Sequence, residues 1–368
     1  MIRLDAEQAN EIFDAREIKF LRQCQQTKWA NVHKFNCQNL RDDSIITKEN
    51  CMSKNIENLN TTVITSDIYS PPRRQYQQIV QEYNPALKAL WTTMNPINIP
   101  CFNQDLVEEL HHSFHLLDEH HGTYFYENEW HPVNYCVIGS RHPRIFNLGG
   151  DLALFINLIR QRDRDALMHY AQLCVEAIYT RLAAFNTSVI TISVVQGDAL
   201  GGGFEFALSS NILIAERGAR LGFPEILFNM FPGMGAYSLL SRKVGMRIAE
   251  DLITSGNTYK AEDLERMGVV DIVVPAGEGQ KAAYELIKKQ EKQVNGLRAA
   301  YQCRQYINPV SNTELQQIIS LWVDTALSVS EKDLHMMRRL VNSQKYQQEQ
   351  RIAASLESSR YSQSLIAA

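Results

Sequence analysis

No part of this 368-residue sequence is long and apolar enough to span a bilayer, and its N-terminus lacks the apolar run of a signal peptide. The seven cysteines are scattered, odd in number and form no C-x-x-C pair, which argues against a disulfide framework and a zinc site. A net charge of −4 provides no general attraction for nucleic acid or anionic membranes. These absences predict a cytoplasmic protein with no membrane span, no nucleic-acid partner and no bound metal.

What the sequence does contain changes in character near residue 80. Residues 1–80 are polar and rich in Gln and Asn, and they form a predicted N-terminal extension that is partly helical or disordered and of unknown role. From residue 84, apolar runs of strand length alternate with amphipathic helical segments. This alternation predicts an α/β fold with a mainly parallel sheet and crossover helices. We therefore expect a core domain over 84–277 and a helical C-terminal region over 278–368.

Hydrophobic periodicity predicts the individual strands and helices. The run SVITISVVQG (188–197) lacks polar alternation and is expected to be a strand buried on both faces. The other predicted strands are 86–94, 133–140, 211–223 and 269–275. Apolar residues at helical spacing predict helices over 103–121, 151–185, 313–329 and 331–343.

Two glycine-rich segments each stand between a predicted strand and a predicted helix. The glycines of 201–203 follow the strand 188–197, and those of 149–150 precede a helix for which Asp151 is a suitable N-cap. Neither segment has G-x-G-x-x-G or P-loop spacing, so a nucleotide phosphate is not the expected ligand. From the residues alone, close-packed turns and oxyanion-binding turns are equally open. Two such turns can each donate one N–H to a single carbonyl oxygen.

Two glutamates lie beside these turns in apolar sequence. Glu205 follows the glycines in GGGFEFAL, and Glu225 follows Pro224 in GFPEILFNMF. Desolvation there is expected to raise both carboxyl pKa values toward the range useful for proton transfer. One such acid alone is better explained as a carboxylate at a helix start. The pair, each member beside a glycine or proline turn, favours catalysis.

Two further polar groups are weaker candidates. His111 and His115 stand one helical turn apart, a spacing that can chelate a metal, but no carboxylate completes an H-E-x-x-H pattern. A solvated helix face is the favoured interpretation. Arg141 and Arg144 precede the first glycine turn. Contact with a phosphopantetheine phosphate or an acidic carrier protein and plain exposure to solvent are equally open for these arginines.

Several stretches together resemble one superfamily. The run VVQGDALGGGFEFALSSNILIAERGARLGFPEILFNMFPGMGAYSLLSRKVG, the motif FNLGGDL and the segment AEDLERMGVVDIVVP are similar to the core of the crotonase (enoyl-CoA hydratase/isomerase) superfamily. Within it, FNLGGDLALF, FPGMGAYS and WVDTALSVSEKDLHMMRRLV resemble the diffusible-signal-factor synthase branch, bacterial enzymes that make cis-2-unsaturated fatty acid signals. The resemblance covers residues 84–345 and implies the crotonase fold, a ββα-superhelix core of repeated strand-helix units.

The resemblance also implies roles for residues at matching positions. The N–H groups of Gly150 and Gly202 would form an oxyanion hole. Glu225 would remove the C2 proton while Glu205 protonates the departing hydroxyl, or the reverse. Leu148 departs from the alanine of typical hydratases, which leaves the identity of the thioester carrier open. The implied acyl pocket comprises Leu148, Phe204, Phe223, Met234, Trp322 and Leu340. Ligand contact is favoured only for Trp322 and Leu340, and core packing is the favoured alternative for the others.

The implied activity is dehydration of a 3-hydroxyacyl thioester of acyl-carrier protein or CoA to a cis-2-enoyl thioester. Thioester hydrolysis would then release a 2-unsaturated fatty acid that serves as a quorum-sensing signal. No cofactor is implied. The alternatives are an enoyl-CoA hydratase of fatty-acid degradation and a non-catalytic binding protein. The resemblance further implies a homotrimer or hexamer, and a sensor-kinase receiver domain as a candidate partner.

Overall fold

The computed structural model describes residues 75–344, so most of the predicted N-terminal extension and the last 24 residues, 345–368, lie outside the described part. The first described strand begins at Ile79 and pairs antiparallel with the second. The sheet therefore includes residues that precede position 84. The boundaries proposed for the extension, the core and the C-terminal region stay predictions.

Between residues 75 and 344, short strands dominate the first part and helices the last. The described strands are β1 (Ile79–Asn84), β2 (Ala89–Met94), β3 (Thr123–Tyr126), β4 (Glu129–Pro132), β5 (Tyr135–Ser140), β6 (Ile145–Asn147), β7 (Ile190–Val195), β8 (Asp198–Leu200), β9 (Ile212–Glu216), β10 (Arg220–Gly222), β11 (Thr258–Lys260) and β12 (Ile272–Val274).

The described helices are α1 (Gln104–Glu119), α2 (Leu152–Gln161), α3 (Arg164–Leu182), α4 (Gly202–Leu208), α5 (Ala236–Val244), α6 (Met246–Thr254), α7 (Ala261–Arg266), α8 (Gly279–Gln290), α9 (Val294–Ile307), α10 (Asn312–Ala326) and α11, whose described part is 331–344. Single 3₁₀ turns occur at Ala184–Asn186, Glu225–Phe228 and Glu291–Gln293.

The larger sheet has the order β1-β2-β5-β7-β9-β12, and only the β1–β2 pair in it is antiparallel. All six residues of β7 are buried, as are all six of β5. The β-branched run of β7 therefore lies in the centre of a sheet that is covered on both faces, as its lack of polar alternation predicts. The α/β class and the parallel sheet are confirmed.

Two predicted elements are each divided in two. The predicted helix over 151–185 breaks at Arg162, which takes a left-handed conformation with φ 53° and ends α2. Asp163 then caps α3, because its side chain accepts a hydrogen bond from the N–H of Ala166 at 3.0 Å. The predicted strand over 211–223 is β9 and β10, which turn at Gly218 (φ 89°) and belong to different sheets.

A smaller sheet positions the candidate site. Its order is β11-β10-β8-β6, and β6, β8 and β10 are parallel neighbours. These strands have only three residues each, and the sequence pattern does not predict β6 or β8. Because parallel strands end at the same edge of a sheet, the chain segments that follow them emerge side by side.

Candidate active site

Three neighbouring strands deliver the predicted site residues to one place. The segment after β6 carries Gly150, the segment after β8 carries Gly202 and Glu205, and the segment after β10 carries Glu225. All four of these residues line the same cavity. The structure thus brings together the two turns and the two acids that the sequence singled out.

The two glycine turns are in direct contact. A Cβ atom added to Gly202 would lie 3.7 Å from the amide nitrogen of Gly150, and one added to Gly149 would lie 3.0 Å from the amide nitrogen of Gly202. Within the described part of the chain, neither the Gly150 nor the Gly202 N–H donates a hydrogen bond. Two donors that face the cavity are therefore available to one ligand oxygen.

Glu205 is buried and hydrogen-bonded. Its side chain is 1% exposed, and its Oε1 accepts hydrogen bonds from the N–H groups of Met234 at 2.7 Å and Ala236 at 2.8 Å. Burial raises the pKa of this carboxyl to about 8, although the backbone donors oppose that shift. The segment after Glu225 therefore holds Glu205 in place through backbone groups.

Glu225 has a different environment. The residue is partly exposed as a whole, yet its Oε2 is buried without a hydrogen-bond partner among the described residues. Its Oε1 lies over Gly201, where an added Cβ would overlap it. Burial, and then the charge of Glu205, raise the pKa of the Glu225 carboxyl to about 8.

The two acids differ in their hydrogen-bond partners. Backbone N–H donors stabilise the carboxylate of Glu205, whereas Glu225 has no donor on its buried oxygen. These contacts favour the carboxylate form of Glu205, but both carboxyls have a pKa of about 8, so a single proton can occupy either of them. The pair can accept and release protons near neutral pH, which general acid–base catalysis requires.

The cavity is mainly apolar and has a volume of about 130 Å³. Four of the six predicted pocket residues line it: Leu148, Met234, Trp322 and Leu340. Trp322 comes from α10 and Leu340 from α11, so helices of the C-terminal region cover a cavity whose other side is formed by segments that follow the strands of the small sheet. Trp322 packs edge to face against Phe155, with ring centroids 5.0 Å apart.

Phe204 and Phe223 do not line the cavity, which corrects the predicted pocket. Both are fully buried and stack on each other with centroids 4.9 Å apart. Their side chains enter the core, while those of Glu205 and Glu225 face the cavity. For these two residues the alternative of core packing is the observed one.

The weaker polar candidates lie away from the cavity. Arg141 and Arg144 are exposed. His111 pairs with Glu176 at 3.1 Å and stacks on His115. Between residues 75 and 344, no cluster of His, Cys, Asp or Glu is suited to hold a metal. In the same part of the chain, no helix has the length and hydrophobicity to cross a membrane.

Sequence reasoning missed other residues of the cavity wall. Tyr170 and Cys174, one turn apart on α3, face it together with Phe155 of α2. Met337 and Gln344 of α11 complete the side that carries Leu340. Only a buried helix face was predictable for these segments, because periodicity does not indicate which neighbour a face covers.

The family is decided by sequence comparison. The sequence profile described as enoyl-CoA hydratase/isomerase matches residues 89–336, well over half of the chain. The chain belongs to this family. The resemblance stated from its motifs, and the crotonase fold with it, are thereby confirmed.

Individual family members align over part of the chain. A 2,3-dehydroadipyl-CoA hydratase of Escherichia coli is 32% identical over 160 residues, which make up 44% of this chain and 59% of that protein. A probable enoyl-CoA hydratase of Mycobacterium bovis is 46% identical over 100 residues, which make up 27% of this chain and 38% of that protein. The chain thus spans less than two thirds of the length of these curated relatives.

Solved structures align over more of it. The structure of DspI from Pseudomonas aeruginosa has a TM-score of 0.52 and 25% identity, and the alignment covers 67% of this chain and 94% of that one. An enoyl-CoA hydratase from Bacillus halodurans has a TM-score of 0.60 and 17% identity over 72% of this chain and all of that one. At the second identity, the likeness shows the fold alone.

Proposed function

We propose that this protein dehydrates a 3-hydroxyacyl thioester to a cis-2-enoyl thioester and then hydrolyses it, releasing a 2-unsaturated fatty acid signal. The observation that carries the proposal is that one apolar cavity contains two N–H groups and two carboxyls. The N–H groups of Gly150 and Gly202 have no acceptor among the described residues, and the carboxyls belong to Glu205 and Glu225. Family membership supports enoyl-thioester chemistry. The similarity to DspI supports the synthase branch that the motifs resemble. Acyl-carrier protein is the proposed carrier, with CoA as the alternative.

Dehydration begins with the thioester oxygen on the N–H groups of Gly150 and Gly202. Glu225, as the carboxylate, takes the C2 proton, and negative charge develops on the oxygen that the two donors face. Glu205, as the protonated acid, gives its proton to the C3 hydroxyl, which leaves as water. A preorganised donor of this kind contributes about 10²–10³ in rate.

Hydrolysis uses the protonation state that dehydration leaves behind. Glu205 is then a carboxylate and takes a proton from water as the water oxygen attacks the thioester carbonyl. Glu225 then carries a proton and gives it to the departing thiolate. The products are the free acid and the thiol, and the pair returns to the state with which dehydration began. The cycle needs no covalent nucleophile, because one proton alternates between the two carboxyls.

The resting contacts favour a second candidate, hydration of a 2-enoyl thioester. The backbone donors on Glu205 favour its carboxylate, and the absence of a donor on Oε2 of Glu225 favours its acid. In that state Glu205 can activate water for addition at C3, and Glu225 can protonate C2. An enoyl-CoA hydratase would need only this half of the cycle.

Product analysis separates the two functions. The purified protein is incubated in water labelled with oxygen-18, with 3-hydroxyacyl-carrier protein in one reaction and crotonyl-CoA in another. Mass spectrometry is expected to show a free 2-enoic acid with one labelled carboxyl oxygen. Glu205→Gln and Glu225→Gln should each lower its rate by about 10²–10⁴, whereas Glu285→Gln, at an exposed glutamate on α8, should not.

Other outcomes overturn parts of the proposal. Hydration of crotonyl-CoA without release of any free acid would replace the proposed function by the hydratase. Parent rates in both cavity variants would contradict the two-acid mechanism. Thioester binding without turnover would indicate a binding protein. A trimeric or hexameric assembly and a receiver-domain partner are further predictions carried over from the resemblance.

A further inference from the structure

Tyr170 lies directly behind the turn that carries Gly150, and the proposed chemistry does not use it. This α3 residue is 6% exposed and lines the cavity. Its hydroxyl would lie 3.7 Å from a Cβ added to Gly150. Its ring packs edge to face on Phe155, with centroids 5.2 Å apart. Tyr170 thus contacts both the first turn of α2 and the turn that carries Gly150.

The hydroxyl of Tyr170 contacts the backbone segment beside the turn. It donates a hydrogen bond to the carbonyl oxygen of Phe102. Phe102 in turn forms a parallel bridge with Gly150. The phenol therefore adds a side-chain hydrogen bond to a backbone segment that is itself paired with the turn.

This pairing sets the direction of the Gly150 N–H. The N–H of Phe102 donates to the carbonyl oxygen of Gly149 at 2.7 Å. That carbonyl belongs to the same peptide unit as the Gly150 N–H, and in a trans peptide the two groups point in opposite directions. Holding the carbonyl on Phe102 therefore directs the N–H away from Phe102 and toward the cavity.

We propose that Tyr170 is a positioning residue for the oxyanion-binding turn: its hydroxyl holds Phe102, and Phe102 orients the N–H of Gly150. The inference rests on the proposed function, since it assigns Tyr170 to the same site. Burial raises the Tyr170 pKa well above its usual value, so the hydroxyl remains a donor throughout the working pH range. A purely structural tyrosine would contribute to stability without affecting enolate formation.

The test measures enolate formation directly. In deuterated water, exchange of the C2 protons of butyryl-acyl-carrier protein, and of butyryl-CoA in a parallel reaction, reports C2 proton removal without hydration. Tyr170→Phe leaves the N–H of Gly150 in the turn, but the hydroxyl that holds its direction through Phe102 is removed. We expect the kcat of exchange to fall about 10- to 100-fold, with KM changed less than about threefold. The pH profile should keep its position, because Glu205 and Glu225 are unchanged.

Two control variants separate positioning from stability. Tyr179→Phe removes a hydroxyl from the same helix, outside the cavity, and should exchange at the parent rate. Glu109 has a buried carboxylate that accepts hydrogen bonds from the N–H groups of residues 77–79. Glu109→Gln weakens these hydrogen bonds, which do not involve the turn. It matches the loss of a buried hydrogen bond without touching the site, and should lower Tm while leaving kcat unchanged.

The result is decisive in either direction. Exchange by Tyr170→Phe within about twofold of the parent, or a loss no greater than that of Glu109→Gln, overturns the positioning role. A kcat loss confined to Tyr170→Phe supports it. If the parent protein exchanges the C2 protons of neither the carrier-protein thioester nor the CoA thioester, the proposed function itself fails, and that failure is visible before any variant is compared.

Discussion

At the scale of single residues, the site depends on the absence of a side chain at Gly201. This residue has φ 52°, in the left-handed region, and the Oε1 atom of Glu225 occupies the space where a Cβ would project. Glycine is therefore required twice, for the backbone conformation and for the position of the acid. The sequence indicated the first requirement, and only the structure shows the second.

Gly201→Ala is expected to displace the Glu225 carboxylate and to lower kcat by about 10² or more, the range associated with a misplaced acid or base. Gly218→Ala is the control, because Gly218 has φ 89° but nothing within 4 Å of its added Cβ. Both substitutions carry a backbone strain of about 1–2 kcal/mol. Steady-state kinetics and urea unfolding should show similar stability losses but different activities, and equal activities would contradict the argument.

The raised pKa of Glu225 predicts how the stability of the protein depends on pH. Burial raises the folded-state pKa of Glu225 to about 8 from an ordinary 4.5. Between these values the folded protein keeps a proton that the unfolded chain releases, so this contribution is present below pH 4.5 and is lost as pH rises through about 8. Relative to the parent, Glu225→Gln should therefore gain roughly a few kcal/mol of unfolding free energy between pH 5 and 8, at about 1.4 kcal/mol for each pH unit. A constant difference across that range in urea titrations would show that Glu225 is not protonated in the fold.

At the scale of elements, the break between α2 and α3 shows how a local signal can be overlooked. The periodicity of 151–185 is continuous, yet Asp163 and Asp165 are acids of the kind that begin helices, and Asp163 is the observed N-cap. Arg162 ends α2 in a left-handed conformation that glycine would adopt at lower cost. The division of 211–223 has a similar signal in Gly218, but its neighbours do not indicate that β10 enters a second sheet.

Arg162→Gly is expected to stabilise the protein by about 1 kcal/mol, because it relieves a left-handed conformation at an exposed residue. Arg160→Gly, two residues earlier, should destabilise it by at least a similar amount. Arg160 lies within α2 and pairs with Glu331 at 2.8 Å. Opposite signs in urea unfolding are the expected result. A loss of stability in both variants would contradict the role assigned to Arg162.

At the scale of the whole molecule, the cavity exists because the C-terminal helices fold back over the small sheet. Trp322 occupies the space beside Gly233, where an added Cβ would overlap its ring. Leu340 and Met337 come from α11. In the proposed reaction the turns and acids act on the thioester end of the substrate, whereas an apolar acyl chain needs the surface that these helices add.

Leu340→Ala is expected to enlarge the cavity and shift the preference toward longer or branched acyl chains. Leu334→Ala is the matched control, since Leu334 is buried on the same helix but does not line the cavity. Leu334→Ala should cost about 2–5 kcal/mol of stability, and Leu340→Ala less, because Leu340 is only partly buried. Product profiles by mass spectrometry should change in Leu340→Ala alone. A shift of the same size in Leu334→Ala would mean that looser packing, not cavity shape, sets the preference.

The sequence by itself determined the chemistry that the chain can offer and the family to which it belongs. Glycines between a strand and a helix, and glutamates in apolar segments, are local features whose conformational and electrostatic consequences follow from neighbouring residues. Only the tertiary structure decided which features meet. The parallel pairing of β6, β8 and β10 aligns Gly150, Gly202 and Glu225. Strands of three residues are too short to show a recognisable periodicity in the sequence. Only the structure likewise shows that Phe204 and Phe223 point into the core and that Tyr170 faces the cavity. The surroundings of a buried side chain depend on contacts between residues far apart in the chain.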